Sequence, residues 1–336
     1  MQRRFLRYLA FRIAGTLLVA IGILVITFVL THVIPSDPAR IAAGPHATAH
    51  QIAQARQELG LDQALPVQFI DFLGNMFRGD LGTSFVTQRP VSSDLEIYFP
   101  ATLELVLCAM IVLGVAGIIG GILASLLGDG IGSISIRLVS LVGIAAPVFL
   151  TALLAQILFF GRLGWFPSSG RIGGDPPHEI THLYLVDSLI TGNWSAFGDA
   201  CFHLVLPVAV LAFSRVGVIM RLVQAEMTRV MKSEYIEAAR AKGVVESRVI
   251  IRHAARNALL PTVSMLGMQF GWLLGGDVLV EAVFSWPGLG GYLVDSVGSL
   301  DVMPVIGTAV LLGFVFALVN LIVDIAQARL DPRIAV

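Results

Sequence analysis

Six apolar runs constrain this chain more than any other feature: residues 13–31, 105–127, 138–160, 204–220, 258–280 and 302–323, each near the length that crosses a bilayer. A helix of about 20 apolar residues spans the hydrocarbon layer, where every backbone N–H and C=O must find its partner inside the protein. Charged side chains make up 13% of the 336 residues and hydrophobic ones 56%, against about 25% charged in an ordinary soluble domain. The expectation is an all-α integral membrane protein with six transmembrane helices. A formal net charge of −1 argues against a nucleic-acid partner. Cys108 and Cys201, the two cysteines, lie in or beside apolar stretches, which predicts neither a disulfide framework nor a thiolate zinc site.

The first run follows Arg3, Arg4, Arg7 and Arg12. It is longer than the apolar core of about 7–15 residues in a signal peptide and has no small-x-small cleavage site before the turn IPSDPA, so it reads as a retained helix. Lysine and arginine placement sets the orientation. With the N-terminus cytoplasmic, 15 cations fall on inner segments and six on outer ones, namely Arg40, Arg56, Arg78, Arg89, Arg162 and Arg171. Both termini are therefore expected in the cytoplasm. The chain divides into an N-terminal segment and first transmembrane helix (1–32), an extracytoplasmic helical elaboration (33–99) and a five-helix core (100–336). Within the elaboration, ATAHQIAQARQELGL ends at Gly60 as a helix, and Pro66–Phe77 forms a second helix with Val67, Ile70, Leu73 and Phe77 on one face. The outer loop 161–202 should hold a short helix around Tyr184–Ile190, and Pro147 should kink the third span.

The polar exception is cytoplasmic, at 226–261 around EYIEAARAKGVVESRVIIRHAARNALLP. It predicts two short helices joined at a glycine. Ser233 can cap the first; Glu234 and Glu237 suit its positive end, Arg240 and Lys242 its negative end, and Gly243 terminates it. Ala238, Ala239 and Ala241 keep it slim enough for another protein's groove. A basic loop touching anionic headgroups is the plainer reading.

The run Glu237-Ala238-Ala239, three residues, Gly243 and then Leu260-Pro261 resembles the EAA loop of ABC importer permeases. Its late Leu-Pro is similar to the dipeptide/oligopeptide (peptide/nickel) permease family, as are IPSDPAR, LGLDQALPVQF, GDLGTSFVTQRPV, PATLELVL, VFSWPGLG and LDPRI, in order along nearly the whole chain. The resemblance implies a bacterial inner-membrane permease subunit that is not itself an enzyme. Its ATPase-coupling residues would be Glu234, Tyr235, Glu237, Ala238, Ala239, Arg240, Ala241, Lys242 and Gly243. Implied partners are a second homologous permease, two ABC ATPases that bind ATP and Mg, an extracytoplasmic substrate-binding protein and the lipid bilayer. This chain offers no P-loop: its one Lys-Ser, Lys232-Ser233, follows Met231 and has Glu226 where the first glycine is required. Dipeptides or oligopeptides are the default cargo, with glutathione or nickel chelates as alternatives.

Other polar residues invite local readings. His178-Glu179-Ile180-Thr181-His182 spells HExxH, the helical zinc motif of a metalloprotease, but Pro176-Pro177 places it at or before a helix start and no third ligand is evident. No metal site is expected there, and His46 and His50 read as solvated loop residues. Gly267, Gly271 and Gly275 form a flat stripe, either static packing or a moving seam. Asp277 and Glu281, one turn apart, could meet a cation or hold loop groups; the resemblance implies a small neutral residue where Asp277 stands. Arg215 should want an acid or carbonyl partner and, with Asp277, Glu281 and Gln156, is a candidate for the substrate pathway; Gln269 is a further candidate to line it, and Asn320 and Asp324 are other polar intrusions.

Overall fold

Long apolar helices dominate the computed structural model, which describes residues 2–33, 39, 47–58, 60–128, 130–276 and 278–330. Among these, the extended backbone is limited to an isolated bridge between Thr83 and Pro90. In chain order the helices are α1 (Gln2–Val33), α2 (Ala49–Glu58), α3 (Leu65–Phe77), α4 (Val91–Leu126), α5 (Ile131–Ala145), α6 (Val148–Arg162) and α7 (Tyr184–Thr191). There follow α8 (Trp194–Met231), α9 (Glu234–Ala241), α10 (Glu246–Ala258), α11 (Leu260–Gly276), α12 (Val278–Val283), α13 (Leu289–Gly298) and α14 (Val302–Leu330). Four of them, α1, α4, α8 and α14, are long and apolar enough to cross a membrane alone, and six spans result if each of two bent pairs counts as one.

The departures from expectation have local causes. The third run is two arms, α5 and α6, meeting at 106°. Pro147 brings no N–H and fixes its own φ, so the helix ends at Ala145 and restarts at Val148. A kink is too mild a description of this break. The second span begins earlier than expected, since α4 starts at Val91 and runs through Pro100. The boundary drawn between 99 and 100 therefore falls inside one helix. The fifth run is bent by 54° between α10 and α11, beside Pro261, and α11 ends at Gly276 rather than continuing to Val280.

The core is built on α4 against α8, with Leu105, Leu113, Leu211, Ile219, Val223 and Met227 buried between them and their neighbours. Close approach is possible because Gly121 faces Val223, where a Cβ would lie 2.6 Å from the valine Cβ. On the elaboration, Phe28 of α1 packs against Phe69 and Phe72 of α3.

Candidate docking surface and translocation seam

Helix α9 turns two side chains inward and the rest outward. Ile236 and Ala239 are buried in the main core, one turn apart, while Glu234, Tyr235, Glu237, Ala238, Arg240, Ala241, Lys242 and Gly243 are exposed. Ala239 thus packs on its own chain and is removed from the surface a partner could touch. The helix begins without its expected cap: the Ser233 hydroxyl donates back to the Val230 carbonyl at 2.5 Å instead of accepting from the first turn. It ends as expected. Gly243 adopts φ +75°, the Gly243 N–H donates to Arg240 O at 2.9 Å, and the Val244 N–H donates to Ala239 O at 3.2 Å.

Two ties fasten α9 to α10. Arg240 makes a forked pair with Glu246 across the glycine turn, Nε to Oε2 at 3.1 Å and Nη2 to Oε1 at 2.6 Å. Asn257, near the other end of α10, donates to the Tyr235 hydroxyl at 2.9 Å. These contacts join α9 to α10, which meets α11 beside Pro261.

At the far end of α11 the chain folds back on α4. Glu281 is 3% exposed. Its Oε1 accepts from Thr102 Oγ1 at 2.5 Å and its Oε2 from the Gly290 N–H at 2.7 Å. Thr102 Oγ1 in turn accepts from the Leu289 N–H at 2.8 Å, and Trp286 Nε1 donates to Ala101 O at 2.9 Å. Glu281 thus ties the Thr102 hydroxyl of α4 to the backbone at the start of α13, contacts of the kind the loop-holding alternative of its two readings describes. Asp277 lies outside the described residues.

The remaining pathway candidates scatter. Gly267 and Gly271 pack against Val323 and Phe316 of α14 within this chain, whereas a Cβ at Gly275 would meet nothing within 4 Å. Gln156 donates to Ser168 O at 2.7 Å and Val283 O at 3.3 Å, fastening α6 to the following loop and to the end of α12. Gln269 is buried, and its Oε1 has no partner. Asp324 pairs with Arg12 at 3.2 Å, joining α14 to α1. Arg215 finds neither an acid nor a carbonyl among the described residues; its guanidinium stands over the Trp272 ring, 5.2 Å from the centroid.

The HExxH segment is not helical. His178 to His182 precede α7, with His182 at φ +60°. The Ile180 and Thr181 N–H groups donate to Asp187 at 3.1 and 2.8 Å, and the Thr181 hydroxyl donates to it at 2.7 Å. The segment therefore lacks the helix on which the HExxH spacing would set its two imidazoles side by side.

The chain matches the family described as "Binding-protein-dependent transport system inner membrane component" over residues 95–336, and the corresponding N-terminal family over 5–106. It belongs to this permease family. The probable D,D-dipeptide transport system permease protein DdpB of Escherichia coli K12 is 42% identical over 322 residues, covering 95% of each chain. The di/tripeptide transport system permease protein DppB of Pseudomonas aeruginosa UCBPP-PA14 is 38% identical, covering 98% of each. The glutathione transport system permease protein GsiC of Pectobacterium atrosepticum is also 38% identical, over 98% of this chain and 99% of the relative.

This permease also depends on residues that sequence reasoning passed over. Glu104, in PATLELVL, forms a buried ion pair with Arg171 at 2.7 Å and accepts from the Leu185 N–H at 2.7 Å. Arg171 also donates to His182 O at 3.0 Å and stacks on Tyr184, 3.7 Å from its centroid. The signal was present: an acid stood immediately before an apolar run, but the span was counted from the next residue. In GDLGTSFVTQRPV, Ser84 donates to Asp301 at 2.6 Å, Thr87 donates to Asp94 at 2.7 Å, and Arg89 pairs with Asp94 at 2.8 Å. Tyr292 of α13 donates to the same Asp94 at 3.0 Å. Three of the motifs named from the sequence, GDLGTSFVTQRPV, PATLELVL and VFSWPGLG, thus take part in ties among the loop before α4, α4 itself and the α12–α14 region, while IPSDPAR and LDPRI lie almost wholly outside the described residues.

Proposed function

We propose that this permease forms half of the translocation pathway of an ATP-driven importer of di- or oligopeptides, and that α9 is the helix on which a separate ATPase docks. Six spans with both termini cytoplasmic put α9 on the ATPase side. The observation that carries the reading is the build of α9: a short helix anchored by Ile236 and Ala239, closed by left-handed Gly243, with Glu234, Glu237, Ala238 and Ala241 outward. A second homologous permease completes the pathway, two ATPases bind and hydrolyse ATP with Mg, and an extracytoplasmic binding protein delivers the solute. ATP-driven closure of the ATPases moves α9, and the ties at Arg240–Glu246 and Tyr235–Asn257 carry the motion into α10 and α11.

The test is uptake by the assembled transporter carrying Glu237→Arg or Gly243→Asp. Both variants should insert into the membrane at normal levels while ATP-driven uptake falls at least about tenfold, the loss of one hot-spot side chain at an interface. Full uptake by either inserted variant would remove α9 from the docking role. A second reading, import of another small solute such as glutathione or a nickel chelate, is favoured by the 38% identity to a glutathione permease. Identifying what co-purifies with the partner binding protein decides between cargoes.

A further inference from the structure

Arg215 is a charge within an apolar helix that no described residue of its own chain neutralises. It lies in α8, partly buried, in the apolar run 204–220. A guanidinium at such depth is costly unless it faces a partner, a water-filled cavity or another polar group. Among the described residues Arg215 makes no ion pair and donates no hydrogen bond. Among the described residues, Glu104 is committed to Arg171, Glu226 to Arg229, Glu281 to Thr102 and Gly290, and Asp324 to Arg12.

Its one close neighbour is chemically informative. The guanidinium lies over the Trp272 ring, 5.2 Å from the centroid. That contact spends no hydrogen bond, so among the described residues the five N–H donors of the guanidinium remain unspent. A guanidinium presents its donors as a planar fork that matches a carboxylate bidentately. Trp272 is 59% exposed and shares an open face of α11 with Met268 and Gly275. One turn from Arg215 on α8 and about one turn from Trp272 on α11, Leu211 and Gly275 line a cleft that reaches to Glu281.

We infer that Arg215, seated on Trp272, is a way-station for the carboxylate of the transported solute. This rests on the proposed import function, since the α8–α11 face must line the pathway. The chemical class follows from the donor set: a solute bearing a free carboxylate, as a peptide's C-terminus does, in preference to its neutral amide.

The experiment uses the complete transporter, with both permeases, both ATPases and the binding protein, in proteoliposomes. Probes are a set of di- and tripeptides and glutathione, each as free acid and C-terminal amide, at concentrations that saturate the purified binding protein. In Arg215→Gln, uptake of free acids should fall about tenfold, the scale of one charge-assisted contact, with amide uptake and ATPase stimulation unchanged. Arg215→Lys, which keeps charge but not the fork, should recover part of the loss. Equal free-acid uptake by wild type and Arg215→Gln would overturn this inference and leave the import function standing. Absence of ATP-driven uptake of every probe by the wild type would overturn the proposed cargo, and this inference with it. If Arg215→Gln and Arg215→Lys both insert but Arg215→Gln alone no longer co-purifies the second permease, Arg215 pairs with an acid of that subunit and the inference fails.

Discussion

Removing the Arg171 guanidinium would strand the Glu104 carboxylate in a site where both side chains are under 7% exposed. Breaking a buried pair from one side typically costs about 3–5 kcal/mol, because the remaining charge is left without compensation. Arg171→Ala should therefore lower the thermal midpoint of the purified assembly sharply, and adding Glu104→Ala should restore part of the loss. Additive losses would mean that the pair is not coupled. Asp187 makes a second residue-scale prediction. Burial works to raise its pKa, but donation from the Thr181 hydroxyl and from the Ile180, Thr181 and His182 N–H groups prevails and holds it below the ordinary carboxylate range. A group depressed in the folded state stabilises fully above its unfolded pKa and loses that contribution as the pH falls through the folded value. Protease resistance of the 178–183 segment should thus decline at acidic pH, and Asp187→Asn should remove that dependence while lowering resistance at neutral pH.

Among elements, the α4–α8 contact is the one least tolerant of added volume. A side chain at Gly121 would meet the Val223 Cβ at 2.6 Å and the Met220 carbonyl at 2.7 Å. Gly121→Leu should destabilise by about 1–3 kcal/mol through overpacking, whereas Gly198→Ala, with open space around it in α8, should be neutral or stabilising. Thermal midpoints of the two variants should move in different directions. The positions of the spans were legible because apolar length reports bilayer thickness directly. Their ends were not. Val91–Pro100 carries Asp94, Glu96 and two serines, so it reads as loop until Asp94 is seen to be satisfied by Thr87, Arg89 and Tyr292. Pro147 announced a break, but a 106° angle depends on what each arm packs against, and a chain read alone does not carry that information.

At the scale of the whole molecule, the proposed orientation is checked by labelling. In a background with Cys108 and Cys201 replaced by alanine, a cysteine at Gln51 should react with a membrane-impermeant maleimide in spheroplasts. A cysteine at Lys242 should react only after lysis. The opposite pattern would invert the topology. Helix α9 was legible since charge, small residues and glycine spacing are local properties, and Gly243 does adopt the left-handed turn that spacing implies. Ala239 was misplaced for the same reason: the motif identifies the helix, while only packing reveals its inner face. Arg215 was visible as an intrusion, but its neighbour Trp272 lies 57 residues on and no spacing rule connects them.

The loop that follows α3 is fastened across an interval of 217 residues, from Ser84 to Asp301. At roughly 5–20 residues per second, a ribosome would need roughly 10–40 s to make the second of these residues after the first. On the proposed topology, the elaboration spends that interval outside the membrane with its clasp unmade. Fastening it is consequently among the last acts of biogenesis, and a chain stopped before Asp301 would leave that loop open to periplasmic proteases even with most of its spans already inserted.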